Sequence, residues 1–380
     1  MRTAVGHPPK EPMSLVRLIV FVGMACYYPF LIFVCLGAAW LAVALFMTGM
    51  HMPRPFRGLL IVLGLPFAFM VLDALLALPA LFMRVTGKDE FEIEVPPKWM
   101  KGLQALVDQV AEERGVDPPD DIRLHAETVA HVYEDHKGRR ILVVGGVAVA
   151  AFSQDALAGV IAHELGHVAG GDTGLSRVAL RWHLVMGNLE ARLAGRPISR
   201  VNPLAWLIRG YHFLFNVAWA ANKRVQEFAA DRHEVELVGE EVAASSTILF
   251  TITEFMPWVR LSAIAESYVS NHESMQAIFA EQARRARAAS PSEWRDACRR
   301  ALKQKTGLFD THPCLKERLR AMGVSPRQAL RLAIPSAEPP ARALFANWGL
   351  IEKLLTEKII AIFREVYQQK REIARILTGR

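Results

Sequence analysis

The stretch Ile161-Ala162-His163-Glu164-Leu165-Gly166-His167 decides how the rest of the chain is read. It lies within residues 153–168, whose apolar spacing is helical, with Ser153 placed as an N-cap and Gly170-Gly171 as the stop. Two histidines four apart on a helix differ in direction by about 40°, so His163 and His167 can reach one ion. Glu164 projects about 100° from His163, beside that ion, where it can meet an activated water. Zinc lowers the pKa of a water it holds, and a carboxylate can take that proton as the water attacks a carbonyl. The spacing therefore points to metal-assisted hydrolysis of a peptide bond. The competing reading is a helix carrying two satisfied surface histidines.

A catalytic zinc needs three protein ligands and an open position. A metzincin arrangement would put a third histidine six residues after His167, but Thr173 stands there. Asp172 lies in a glycine-flanked turn with no supporting partner. Glu227 is the better choice, because Glu227-Phe228-Ala229-Ala230-Asp231 places two carboxylates on one helical face. Glu227 would ligate, and Asp231 would accept the second N–H of a ligand histidine and fix its tautomer. Against this stands an ordinary acidic helix face, with Arg224 and Arg232 close by. The other histidines, His131, His183, His212 and His233, are read as structural.

Outward from these motifs, the 380 residues are 52% apolar and 22% charged. That composition excludes intrinsic disorder, and so many charges exclude a chain made only of spanning helices. The apolar excess is local. Residues 18–47 hold 27 apolar positions in 30 and residues 59–83 hold 21 in 25. Each is long enough to cross a bilayer, and the first is about twice the length of a signal-peptide core. Arg2, Lys10 and Arg17 on one side, with Arg84 and Lys88 on the other, put both flanks in the cytoplasm. The net charge of +7 favours an anionic membrane surface, and no nucleic-acid-binding signature accompanies it. Four cysteines make no disulfide framework, consistent with a reducing compartment.

The expected organisation is a cytoplasmic tail (1–17), a membrane anchor (18–83), a catalytic domain (84–328), a linker (329–340) and an amphipathic C-terminal segment (341–380). Strands are expected near residues 91–95, 121–135 and 140–144, and helix almost everywhere else, so the fold class is mainly α with a small β-sheet. Residues 203–221 are apolar enough to span. A single crossing there would part His167 from Glu227, so they are read as a buried or interfacial helix. Amphipathic residues 351–377 are expected to pack on the domain or on another subunit, leaving room for a homo-oligomer.

Taken together, His163-Glu164-Leu165-Gly166-His167, Arg224-Val225-Gln226-Glu227-Phe228-Ala229-Ala230-Asp231 and Thr311-His312-Pro313-Cys314-Leu315-Lys316-Glu317-Arg318 resemble the HtpX-like membrane zinc metallopeptidases. These are related to the CAAX prenyl proteases and to mitochondrial quality-control peptidases. The resemblance covers roughly residues 91–322. It implies a zincin (gluzincin) fold, one Zn2+ per chain held by His163, His167 and Glu227, and endopeptidase action on membrane-associated or misfolded proteins. It further implies that His312 and Arg318 contact the substrate or its oxyanion. Two departures stand out. The strand upstream of the metal helix reads Thr128-Val129-Ala130-His131-Val132-Tyr133 rather than an Asn-Ala-Phe-like sequence, and residues 175–194 are too charged to supply the further spans of close HtpX relatives. Rival readings are a non-catalytic zinc-containing adaptor or holdase, and a narrow processing protease of the CAAX type.

Overall fold

The computed structural model describes residues 15–77, 91–126, 129–135, 137–169, 182–191, 203–272, 274–335 and 340–378. Two long apolar helices come first, α1 (Leu15–His51) and α2 (Arg54–Ala77). They pack side by side, and Gly49 and Gly64 let the backbones approach: a Cβ on Gly49 would lie 3.3 Å from Leu60 Cβ. Both are long and apolar enough to cross a membrane, and their outer faces are bare, with Phe33, Leu36 and Trp40 each at least two-thirds exposed. Of the expected second span, residues 78–83 lie outside the described residues, as does most of the 1–17 tail.

After these two helices come β1 (Glu92–Ile93) and α3 (Lys101–Arg114). Gly115 ends α3 in the left-handed conformation, at φ 64°, where a side chain would be strained. Strands β2 (Asp121–His125), β3 (Ala130–Glu134) and β4 (Arg140–Gly145) complete a sheet of order β1-β2-β4-β3. β2 runs parallel to β4, while β1 and β3 pair antiparallel with their neighbours. β4 is central and almost fully buried, as its Ile141-Leu142-Val143-Val144 run requires. β3 is an edge, partly exposed along its whole length.

After the short α4 (Gly146–Ala151) comes α5 (Gln154–Ala169), the helix carrying His163 and His167. Ser153 Oγ accepts the Ala156 N–H at 3.1 Å and caps it. Residues 182–191 form α6, and α7 (Pro203–Val238) is one unbroken helix of 36 residues. Its first half buries Leu204, Ala205, Ile208 and Phe215 in a cluster with Val20, Met24 and Tyr27 of α1 and with Trp182, Val185 and Met186 of α6. Its second half carries Glu227 and Asp231 against α5. The stretch 203–221 is thus the first half of the helix that carries Glu227, packed against α1 and α6.

Helices α8 (Glu240–Ile252), α9 (Leu261–Ser270), α10 (Ile278–Ala288), α11 (Pro291–Leu302), α12 (Leu315–Ala321) and α13 (Pro326–Leu332) close the domain. Of the expected 329–340 linker, residues 329–332 are helical and 336–339 lie outside the described residues. α13 runs through Leu332, because a Ser325/Gln328 capping box and Pro326 at its first turn specify a helix there. The C-terminal segment packs on the domain, one of the two placements expected for it. Pro340 bridges to Ser153, and α14 (Trp348–Thr378) buries Ile351, Leu355, Ile359 and Ile360 in the same core as Leu157, Ile161 and Leu165 of α5. At its other end that core takes in Leu124 and Leu142 of the sheet.

Candidate metal centre

α5 and α7 pack closely at Gly166: a Cβ there would lie 3.0 Å from the His233 ring and 3.3 Å from Ala230 Cα. The helical period then turns His163 and His167 toward α7, where Glu227 meets both. His163 Nε2 lies 3.5 Å from Glu227 Oε2, and His167 Nε2 lies 3.5 Å from Glu227 Oε1. The two imidazoles stand edge to face, 86° apart in plane. A tetrahedral ion with bonds of about 2.1 Å sets its ligands roughly 3.4 Å apart, so these nitrogen–oxygen separations suit one. Glu227 Oε2 is also buried with no hydrogen-bond partner, an acceptor that a cation would satisfy. The donor set fits zinc.

Behind the three lies a charged scaffold. His163 Nδ1 is 3.1 Å from Asp231 Oδ1, close but not aligned as a hydrogen bond. Asp231 is 1% exposed. Arg318, from α12, holds it by two hydrogen bonds, Nε to Oδ2 at 2.9 Å and Nη2 to Oδ1. Burial works against the Asp231 carboxylate, yet His163 and Arg318 hold it below its ordinary range. Glu227 likewise is held well down by the two histidines despite its burial. Burial would lower His163, but Asp231 and Glu227 raise it to about 10.

Glu164 stands on the open side of α5, partly exposed, and burial lifts its carboxyl above the usual range. It shares a cleft of about 440 Å³ with Val129, Ala130 and His131 of the edge strand, Val160 of α5 and Phe250 of α8. His312 reaches the rim, two-thirds exposed, with Nε2 3.5 Å from Glu227 Oε1; burial on its inner side lowers its pKa. The structure therefore gathers His163, Glu164, His167, Glu227, Asp231, His312 and Arg318 at one centre. Arg318 faces Asp231 as well as the cleft.

Two cleft residues were not singled out by sequence reasoning. His131, read as structural, lines the cleft from β3, which no local signal foretells. Glu234 also lines it, accepting a hydrogen bond from Ser246 Oγ at 2.5 Å, and burial raises its pKa to about 6. Its signal was present: Glu234 follows Asp231 by three and Glu227 by seven, on one helical face. With His163 and Asp231 it forms a second close acidic group, but one that shares His163 and belongs to the same centre.

A sequence profile described as Peptidase family M48 matches residues 97–323. No curated protein matches the chain. Among solved structures, the crystal structure of S. mikatae Ste24p is similar at 14% identity and a TM-score of 0.32, over 81% of this chain and 66% of that one. The chain thus spans slightly less than two thirds of that protein, and a likeness this low carries neither fold nor function.

Proposed function

The chain belongs to peptidase family M48, whose members are zinc-dependent metallopeptidases, and from that premise we propose that it is a membrane-anchored endopeptidase cutting membrane-associated or misfolded proteins. The observation that carries this reading is the pair of 3.5 Å contacts by which Glu227 meets both His163 and His167, with Glu164 beside them in an open cleft. His163, His167 and Glu227 would hold the ion. When bound there, zinc supplies a Lewis acid that polarises the scissile carbonyl and acidifies the attacking water.

Glu164 is the general base: it accepts the proton of the attacking water and returns it to the leaving amide nitrogen. A carboxyl lifted above its ordinary range by burial suits a group that must take a proton as well as give one. β3, an edge strand of the sheet among the described residues, would take an extended peptide as a further strand across the cleft mouth. His312, with Nε2 3.5 Å from Glu227 Oε1 at the cleft rim, would donate to the developing oxyanion. Arg318 acts as a positioning residue, fixing Asp231 and through it the His163 ring. In this reading α1 and α2 anchor residues 91–378 at the cytoplasmic face, and α14 is integral to the peptidase domain.

The test compares wild type with Glu164→Gln, both purified in detergent. Zinc content should be equal, while digestion of casein falls by at least about 10²-fold in the variant. Equal proteolysis by both proteins would overturn the reading. Zinc in both with proteolysis in neither would favour the adaptor.

A further inference from the structure

The segment leading into His312 presents two large apolar side chains to the surroundings. Leu308 is 53% exposed and Phe309 51%. They occupy the tip of a tight turn in which the Asp310 N–H donates to the Gly307 carbonyl at 3.3 Å and the Gly307 N–H donates to Asp310 Oδ2 at 2.7 Å. The base of the turn is pinned as well. Thr306 Oγ1 donates to Glu317 at 2.7 Å and accepts the Cys314 N–H at 2.9 Å. Arg224 of α7 donates to the Asp310 carbonyl at 2.8 Å. A turn so fully hydrogen-bonded keeps Leu308 and Phe309 half exposed at its tip.

This tip is continuous with the face of α7 that turns away from the core. The Phe309 ring sits edge-on to Phe213, 5.3 Å between centroids. Phe213, Leu214, Leu207 and Trp206 follow along α7 as one exposed stripe. The opposite side of that same half-helix is buried against Val20, Met24 and Tyr27 of α1, inside the first stretch long and apolar enough to cross a membrane. Lys303, Lys305 and Lys316 are exposed around the base of the turn. Apolar and aromatic side chains ringed by lysines, beside a spanning helix, are the composition that seats at the boundary of headgroups and acyl chains.

We propose that the 307–310 turn is a membrane wedge: Leu308 and Phe309 insert into an anionic lipid surface, continuing the apolar stripe of α7. The inference rests on α1 and α2 spanning the bilayer. Because His312 follows the turn by two residues and reaches within 3.5 Å of Glu227, the wedge sets the cleft mouth at the lipid surface. The substrates favoured are then peptide segments held close to the bilayer, by their own membrane helix or by a lipid tether, over the same segments free in water. A second copy of the chain, or an apolar peptide, is the competing occupant of the stripe.

The full chain, with Cys26, Cys35, Cys298 and Cys314 replaced by Ala, is reconstituted in phosphatidylcholine–phosphatidylglycerol vesicles. An environment-sensitive thiol fluorophore is placed singly by Leu308→Cys, by Trp40→Cys in α1 or by Lys137→Cys in the β3–β4 turn. Brominated acyl chains should quench the probes at 308 and 40 but not at 137. If position 40 is quenched and position 308 behaves like 137, the wedge is overturned while the anchor stands. If position 40 is not quenched, the anchor itself fails, and the wedge with it. A second measurement needs no label. Leu308→Asp/Phe309→Asp should cut a palmitoylated casein peptide more slowly by about 10-fold, with the unlipidated peptide little changed. Equal loss on both peptides would make the stripe a peptide-binding surface and overturn the proposal, as would a probe at 308 quenched only on dimerisation.

Discussion

Arg318 grips Asp231 with two hydrogen bonds across 87 residues of sequence, and Asp231 in turn faces His163 Nδ1 at 3.1 Å. The pair is nearly sealed from water: the Asp231 side chain is 2% exposed and that of Arg318 16%. One guanidinium therefore neutralises the carboxylate that faces the His163 ring.

Arg318→Met leaves Asp231 buried with His163 as its remaining partner and without its two guanidinium hydrogen bonds. Breaking a buried pair from one side costs about 3–5 kcal/mol. Chemical denaturation of the zinc-free protein should show that loss, and Arg318→Lys, which keeps the charge but not the fork, should recover only part of it. A Met variant as stable as wild type would remove Arg318 from this role.

Asp231→Asn keeps the volume and removes the charge facing His163. Zinc affinity, measured by competition with a chromophoric chelator, should fall by roughly 10–100-fold. Glu227→Ala deletes a proposed ligand outright and should abolish stoichiometric zinc. Full occupancy in Glu227→Ala would return the third-ligand question to other residues.

Gly102 on α3 touches the chain just before α14. A Cβ there would lie 2.6 Å from the Leu344 carbonyl oxygen, a backbone atom with nowhere to go. Gly102→Ala should destabilise the domain by about 1–3 kcal/mol, the range of an overpacked core, seen as a lower midpoint in urea. An unchanged midpoint would mean that residues 341–378 are not part of the cooperative unit.

Far from the metal centre, Glu281 is held down to about 2, first by hydrogen bonds from Arg284, with Arg285 adding to them against a partial burial. A carboxyl whose folded pKa lies below its unfolded value stabilises the fold above the unfolded value of 4.5. That contribution is lost as pH falls from about 4.5 to 2. Arg284 is largely exposed, so solvent screening limits the effect to about 1 kcal/mol. Denaturation at pH 7 and pH 3 should show Glu281→Gln less stable than wild type at the higher pH, with the gap closing at the lower one.

What could be read locally in the chain was what local spacing encodes. The i,i+4 histidines of α5, the i,i+4 carboxylates of α7 and the long apolar runs of α1 and α2 each declare themselves within a few turns of helix. Strand β4 announces itself by continuous apolar residues. What escaped was written in no single segment. His131 looks like any strand histidine until β3 becomes the edge beside α5. Leu355 and Ile359 form an ordinary amphipathic stripe, whose partner in the core of α5 lies some two hundred residues upstream. The turn at Leu308 and Phe309 is two apolar residues between lysines, and only its hydrogen bonds reveal that it points outward.

The placement of α14 also sets an order of events. Chains emerge from the ribosome at roughly 5–20 residues per second and fold domain by domain. The apolar helices α1 and α2 leave first and can enter a bilayer at once. The core that seats α5, however, includes Ile351, Leu355 and Ile359, so His163 and His167 have no finished setting until residue 360 is free. On the proposed reading, a peptidase assembled this way completes its centre only after residue 360 has emerged, with its two apolar helices made long before its cutting edge.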